Sequence, residues 1–433
     1  MRLLHTADWH LGHTLHEIGR EREHGLFLDW LLDTLGAAEV DALLIAGDVF
    51  ETANPTAEAQ AAWYRFLARA RARFPHLHIV VIGGNHDSAA RLDAPNPILR
   101  ELTVHVIGGL PRRPSTDAEG RPGTGAGALD LDRLLVPLAR RDGSVGAWVA
   151  AVPFLRPVDL PPVPAGEGDG GGDRLVEGVR RIYREVLDAA RGRRQPGQAL
   201  VAMGHCYLVG TTVSELSERK ILGGHQHALP VDLFPDDVAY VALGHLHLAQ
   251  AVGGRAGVRY SGSPIPLALS ENEYPHQICL VDLDGERLAG VRPLAVPRTR
   301  TILRIPYEGP RPLDEVLALL ATLPPAGPET PAELRPLLEV RVLLDRPEPA
   351  LRRRIEPALE GKGVRLVKIT PELAGRSRAL AELAPHVRLS ELRPEDVFIE
   401  RYRRDFGVVP PDELLATFHE LVEQVERGEV APR

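Results

Sequence analysis

The residues of this chain whose types and spacing suit chemistry are Asp8-Trp9-His10, Asp48, Asn85-His86-Asp87, His205, and two Gly-His-x-His segments ending in His225 and His227 and in His245 and His247. Carboxylate, imidazole and amide oxygen ligands without thiolate suit divalent Mn, Fe or Zn, and affinity order alone does not choose among them. In Asp8-x-His10, residues two apart on an extended segment point the same way, so one cation can be held by a carboxylate and an imidazole. Asn85 offers a carbonyl oxygen, and His86 can give or take a proton near neutral pH. Taken alone, Gly84-Asn85-His86-Asp87 reads equally well as a plain turn. The elements that precede these residues decide between the two.

Leu3 and Leu4 make a short apolar strand that ends at Asp8. Ala42 to Ala46 repeat the design, with Gly47 opening a turn before Asp48, and Ile79 to Ile82 repeat it again before Gly83 and Gly84. Residues 21 to 38, with Leu28, Leu31, Leu32 and Leu35 on one face, and Glu58 to Arg73, with Trp63, Phe66, Leu67 and Ala70 at helical spacing, read as the intervening helices. Their apolar faces can pack on the sheet or pair two copies of the chain. Val145 to Val152 reads as a strand, Arg174 to Arg191 as a helix and Ala199 to Met203 as a strand ending at His205. The segment at 236 to 244 is an apolar strand leading into His245 and His247, whereas His225 and His227 follow a polar stretch and read as exposed loop histidines. Asp8, His10, Asp48, Asn85, His205, His245 and His247 therefore stand at strand ends of one presumed sheet, where open α/β folds place their chemistry. Such a set suits two metals bridged by Asp48, a pair that clamps a phosphoryl group and activates water. His86, free of the metals, is placed to protonate a leaving oxygen, with Asp87 orienting its ring. Other histidines, His5, His24 and His276 among them, read as core or surface residues.

At 433 residues the chain exceeds one compact core, so two or three domains are expected. Residues 108 to 128 and 161 to 173 are rich in Gly and Pro and read as surface loops. Residues 253 to 284 read as β-hairpins, with Asp284-Gly285 as a turn. From about Thr299 a β-α-β-α-β unit follows, including a helix from Leu313 to Leu323 and another over 348 to 360. Beyond Pro385 two helices remain, the second carrying Leu414, Leu415, Phe418, Leu421, Val422 and Val425 along one side, a stripe that needs a partner surface. No apolar run reaches the length of a membrane span and the start lacks signal-peptide character, which implies a cytoplasmic protein. Cys206 and Cys279 form no disulfide framework, consistent with that compartment. A net charge of −8 argues against a protein that coats nucleic acid through its average charge.

The order Asp-x-His, Gly-Asp, Gly-Asn-His-Asp, Gly-His, Gly-His-x-His resembles the calcineurin-like metallophosphoesterases. HTADWHLG, VDALLIAGDVF, GGNHDS, YVALGHLHLAQ and YSGSPIPL are similar to SbcD, the nuclease component of the bacterial SbcCD complexes, over residues 1 to about 295 and again at LSELRPEDVF. The resemblance implies an α/β chain with a four-layer α/β/β/α phosphoesterase domain over 1–295. It further implies a small α+β DNA-binding cap over 296–384, and C-terminal helices over 385–433 that bind an SbcC-type coiled-coil ATPase. It implies two divalent metal ions, typically Mn2+, one held by Asp8, His10, Asp48 and His247 and the other by Asp48, Asn85, His205 and His245. His86 would be the catalytic histidine, and the assembly a homodimer within a heterotetramer. The implied activity is metal-dependent DNA exonuclease and endonuclease action in DNA end processing, repair and recombination. One departure is that archaeal relatives carry a second histidine just after the Gly-Asp strand, where this chain has Glu51, to which no catalytic role is assigned. Two other readings stay open: a small-molecule phosphodiesterase or phosphomonoesterase on the same fold, and a non-catalytic scaffold for DNA or the ATPase. Arg352, Arg353 and Arg354 suit phosphate contacts and a solvated helix face alike.

Overall fold

The computed structural model describes residues 1–114, 127–161, 171–212 and 228–374, apart from 329 and 347, together with scattered residues between 398 and 418. Strands β1 (Arg2–Thr6), β2 (Thr14–Leu15), β3 (Ile18–Gly19), β4 (Ala42–Ala46), β5 (His78–Ile82) and β6 (Val104–Ile107) come first. They are interleaved with helices α1 (Glu21–Ala37) and α2 (Ala57–Arg73) and the short α3 (Ala89–Asp93) and α4 (Asn96–Glu101). The one-turn α5 (Leu131–Leu134) leads into β7 (Leu135–Ala139) and β8 (Val145–Ala151). After α6 (Gly171–Arg193) come β9 (Ala199–His205), β10 (Tyr240–Gly244), β11 (Gln250–Val252), β12 (Arg255–Tyr260) and the hairpin β13 (Gln277–Asp284) and β14 (Arg287–Ala295).

These strands form two six-stranded sheets, ordered β14-β13-β1-β4-β5-β6 and β11-β12-β10-β9-β8-β7. Strands β1, β4, β5 and β6 run parallel, as do β8, β9, β10 and β12. The sheets lie face to face, and the alternation along β4 shows how one strand serves both sides. Ala42, Leu44 and Ala46 join the core between the sheets, while Leu43 and Ile45 face the core under α1 and α2. Both sides of this strand are buried, which is why its sequence is an unbroken apolar run. Phe27, Leu28, Leu31, Leu32 and Leu35 of α1 and Trp63, Phe66, Leu67 and Ala70 of α2 are buried in that outer core, so the helical faces that could have paired two copies pack on the sheet. Each fully buried large side chain there contributes about 1.5–3 kcal/mol. Thr56 caps α2 by accepting from the Ala59 N–H at 3.2 Å, and α1 opens with Glu21 and Glu23, whose charge suits a helix N-terminus. On the far side α6 buries Ile182, Tyr183, Val186, Leu187 and Ala190 against the second sheet, completing four layers, α/β/β/α.

The strand ends that carry the candidate residues are thus divided between two sheets, whereas the residues alone place them on one. Apolar strands of five to seven residues have no local mark of sheet membership, and only the face-to-face packing separates them. The β13–β14 turn is also shifted by one residue. Asp284 pairs with Arg287, leaving Gly285-Glu286 as the two-residue loop, with φ +55° at Gly285, as a type II′ turn requires at its first central position.

Beyond β14, strands β15 (Ile302–Ile305) and β16 (Arg311–Pro312), helix α7 (Leu313–Ala321), strand β17 (Leu337–Leu344), helix α8 (Leu351–Ile355) and strand β18 (Arg365–Leu373) build a third, wholly parallel sheet around β17. The helix expected over 348 to 360 ends early and continues as a 3-10 turn over Glu356–Leu359, where Pro357 cannot donate to an α-helical ladder. This unit touches the main body through an apolar cluster of Leu15, Ile18, Leu269, Ile302 and Leu337 and a buried Arg20–Glu23–Arg300 group. Arg352 pairs with Glu356 and Arg354 with Asp314 at the surface. The loop expectations over 115–126 and 162–170, His225 and His227, and most of the two C-terminal helices lie outside the described residues. Within the last, Phe398 stacks on Phe418 with ring centroids 4.3 Å apart, so one residue of the apolar stripe meets the preceding segment.

Candidate metal centre

Asp8, His10, Asp48, Asn85, His205, His245 and His247 meet at the carboxyl ends of the two sheets. Asp8, His10 and His247 form one group with mutually close ligand atoms, Asp8, Asp48 and His205 a second, and His10, Asp48 and His86 a third. The first sheet positions its residues through the main chain. The Asp8 N–H donates to the Gly47 carbonyl and the His10 N–H to the Asp48 carbonyl, each at 3.0 Å, which extends the β1–β4 pairing past the strand ends. Asp8, His10, Asp48 and His245 all have positive φ, a strained conformation for non-glycine residues that the surrounding structure must impose. Two glycines make the convergence possible. A Cβ on Gly84 would overlap the Asp48 carboxylate, and one on Gly244 would overlap the Ala46 carbonyl of the facing sheet.

Asp48 sits at the centre. Its Oδ1 accepts from the His86 N–H at 2.9 Å, and its Oδ2 lies 3.4 Å from His205 Nε2 and 3.5 Å from His10 Nε2. Asn85 Oδ1 accepts from His205 Nε2 at 3.0 Å and from His245 Nδ1 at 2.9 Å. Asp8 accepts from the His245 N–H at 2.9 Å, joining the two walls. Burial opposes charge on Asp48, but His205, His10 and His86 hold its carboxyl well below the usual range. Burial likewise opposes charge on His205, yet the Asp48 carboxylate pushes its ring up to about 9. His247 is pushed up to about 9 by Glu271 against the same penalty. For His245 burial wins and, with His205 nearby, lowers the ring to about 3. Carboxylates that draw protons onto buried imidazoles will draw a cation there equally.

The donor set fits divalent cations. His10 Nε2 is buried with no hydrogen-bond partner, an unfavourable state for a polar nitrogen that a bound cation would relieve. The second ring nitrogens are held. His10 Nδ1 donates to Glu51 Oε2 and His247 Nδ1 to Glu271 Oε1, both at 2.8 Å, and His205 Nδ1 donates to the Ala46 carbonyl at 2.8 Å. Such outer contacts fix the tautomer of a metal-binding imidazole. Sequence alone singles out neither glutamate as a partner of a ligand. Glu51 lies three residues past Asp48, a hint of proximity, whereas Glu271 follows no motif and reaches the site only through a 3-10 turn over Leu269–Glu273.

His86 projects between these groups, its ring centroid 4.8 Å from that of His10, and its Nδ1 donates to the Glu51 carbonyl at 2.7 Å. Asp87, expected to orient that ring, is engaged elsewhere. Its carboxylate accepts from the N–H groups of Gly84, Val49 and Phe50 at 3.0–3.1 Å, because the turn after β5 points it back under the loop that carries Asp48. Burial and the neighbouring Asp48 raise its pKa to about 6. The remaining histidines behave as core: His5 joins the two sheets by bonding Tyr240 and the Leu243 carbonyl, and His276 bonds the Ser263 and Glu271 carbonyls.

A model of the calcineurin-like phosphoesterase family matches residues 1–249, and one described as the type 5 capsule protein repressor C-terminal domain matches residues 298–406. Two facing sheets with a carboxylate, amide and imidazole cluster at their ends, together with that match, define a calcineurin-like phosphoesterase. The chain is 43% identical over 400 residues to the SbcD nuclease component of SbcCD from Rhodobacter capsulatus, covering 92% of this chain and 93% of that protein. It is 33% identical to the Escherichia coli K12 counterpart over 93% and 92%, and 34% identical to the Bacillus subtilis counterpart over 65% and 66%. The chain belongs to the SbcD family of nucleases.

Proposed function

We propose that the chain is a dinuclear, metal-dependent DNA phosphodiesterase, acting as a double-strand exonuclease and an endonuclease on single strands and hairpins, with Mn2+ as the working metal. The observation that carries this reading is the convergence of Asp8, His10, Asp48, Asn85, His205, His245 and His247 on one another from two sheets. Asp8, His10, Asp48 and His247 would hold one cation, and Asp48, Asn85, His205 and His245 the other. Two bound cations supply Lewis acidity toward a phosphoryl group and activation of water.

The chain's own residues do the rest. Buried Asp8 and Asp48 offset cationic charge, and the held imidazoles fix where the cations can sit. His86 donates its Nδ1–H to the Glu51 carbonyl, which leaves Nε2 free to face a substrate oxygen. Protonated there, it donates to the departing oxygen and stabilises its charge. Asp87 acts one step back by pinning the loops of Asp48 and Asn85. Phosphodiester hydrolysis needs no base readout, so the DNA is held by phosphates and shape. Residues 1–295 form the catalytic domain, 296–384 a DNA-binding cap and 385–433 the region that binds an SbcC-type coiled-coil ATPase, in a heterotetramer built on a homodimer. No described helix is long and apolar enough to cross a membrane, and we assign the chain to the cytoplasm.

The test is Mn2+-dependent cleavage of linear duplex, hairpin and single-stranded DNA, beside a small aryl phosphodiester, by wild type and His86→Ala. DNA cleavage falling by about 10²–10⁴-fold in the variant with metal content unchanged supports the reading. Turnover of the small ester with DNA left intact, even with the ATPase partner present, would replace it with a small-molecule phosphodiesterase.

A further inference from the structure

The imidazoles that converge on the centre are backed by different atoms, and the difference is systematic. His10 and His247, with ring centroids 5.2 Å apart and in one ligand group with Asp8, are each backed by a carboxylate, Glu51 and Glu271, at 2.8 Å. On the other side His205 Nδ1 is backed by a neutral oxygen, the Ala46 carbonyl at 2.8 Å, and His245 Nδ1 faces Asn85 Oδ1, itself a proposed ligand, at 2.9 Å, so neither ring has a carboxylate behind it. Glu271 is fully buried, and its other oxygen accepts from the Leu267 N–H at 2.8 Å, so its position is fixed independently of the ring it contacts. Among the described residues its one ion-pair partner is His247. Glu51 serves twice, with its carboxylate behind His10 and its carbonyl behind His86.

We infer that Glu51 and Glu271 are positioning residues for the cation held by Asp8, His10 and His247, and that they make this position the tighter of the two. Each keeps its imidazole in the tautomer with the proton on Nδ1, which turns Nε2 toward the cation. Together they add two carboxylates to a side that already has Asp8, while the side of Asn85, His205 and His245 has only the shared Asp48. Carboxylates behind metal-binding imidazoles raise ligand basicity, and their loss typically costs about 10–100-fold in metal affinity. The inference rests on the dinuclear reading given above and adds an order of filling to it.

The experiment titrates the metal-free full-length protein with Mn2+, reading free Mn2+ by electron paramagnetic resonance and heat by calorimetry, for wild type, Glu51→Gln and Glu271→Gln. Glutamine keeps an acceptor for Nδ1–H and removes the charge. Wild type should bind two Mn2+ in separable steps, and each variant should weaken the tighter step by about 10–100-fold while leaving the weaker step within about twofold. With Zn2+ as a diamagnetic probe, ¹⁵N spectra of labelled histidine should show protonated Nδ1 and metal on Nε2 at His10 and His247 in wild type and both glutamine variants. Glu51→Ala and Glu271→Ala should lose that signature at His10 and His247 respectively. An unchanged tight step in both glutamine variants, or a loss confined to the weaker step, would overturn the inference. Wild type binding fewer than two cations would instead overturn the dinuclear reading beneath it.

Discussion

The two walls of the metal centre are built by different means. On the first sheet the loops after β1, β4 and β5 are locked to each other through the main chain: Asp8 to Gly47, His10 to Asp48, and Asp87 to the amides of Gly84, Val49 and Phe50. This wall contributes the carboxylates, and three of its residues accept positive φ to do so. On the second sheet the imidazoles of His205, His245 and His247 are each held through a side-chain nitrogen, by a carbonyl, an amide oxygen and a carboxylate respectively. The candidate ligand carboxylates therefore sit on the wall whose geometry is dictated by backbone pairing, and the imidazoles of the other wall rest on one or two side-chain contacts each. Substitutions behind the first wall should cost stability and metal together, whereas substitutions on the second should cost metal with little loss of fold.

Asp87→Ala tests the first half of that contrast and carries the largest expected effect. It strands three buried N–H donors, each worth about 1–3 kcal/mol when unsatisfied, so metal-free stability should fall by at least about 3 kcal/mol in urea denaturation. Metal content should fall with it, although Asp87 touches no cation position. His245→Gln is the matching change on the second wall. It gives up a single hydrogen bond, and the metal-free loss should stay near about 1 kcal/mol while one of two Mn2+ equivalents disappears. Equal stability losses in the two variants would erase the distinction between the walls.

The same contrast explains what can be read from sequence. The first wall is compact in the chain, and its candidate residues Asp8, His10, Asp48 and Asn85 each follow a short apolar strand, closed by glycine before Asp48 and Asn85, so it is the repetition of the pattern rather than any one motif that singles them out. His205, His245 and His247 follow equally clear strands, but no local feature says that these belong to a facing sheet. The layering is legible only through resemblance to a family. The β-α-β character of the unit after Thr299 is plain from Ile302 to Leu344, while its second helix reads overlong because the apolar spacing runs on past Pro357, where the α-helical ladder stops. Glu271 and the true task of Asp87 are out of reach. A buried carboxylate that serves a ring from a 3-10 turn far along the chain leaves no periodic trace, and an aspartate beside a histidine looks like an orienting partner until the turn shows it facing away.

The seam under both walls supplies the last prediction. His5 reaches from β1 across to Tyr240, at 2.9 Å, and to the Leu243 carbonyl on β10, at 3.2 Å, and is fully buried between the sheets. Burial, only partly offset by the bond to Leu243, lowers its ring from an ordinary 6.5 to about 3. The unfolded chain binds a proton at His5 as pH falls below 6.5, and the folded chain does not until near pH 3. Protonation therefore favours unfolding in that window, and stability attributable to this residue is present above pH 6.5 and lost on acidification. The loss approaches about 1.4 kcal/mol per pH unit between those values, or roughly 2 kcal/mol by about pH 5. His24, likewise lowered to about 3 by burial and the nearby Arg20, adds a parallel contribution at the outer core. His5→Gln retains a polar contact across the seam and removes the titration. Its stability from urea midpoints should therefore fall less steeply than that of wild type between about pH 6.5 and about pH 5, by about one proton's worth of slope. An identical slope would mean that the seam admits water and a charged ring. In that case the two walls would be joined less firmly than the burial of His5 implies, and the metal-free protein should then show unequal hydrogen exchange of β1 and β10 rather than matched protection across the seam.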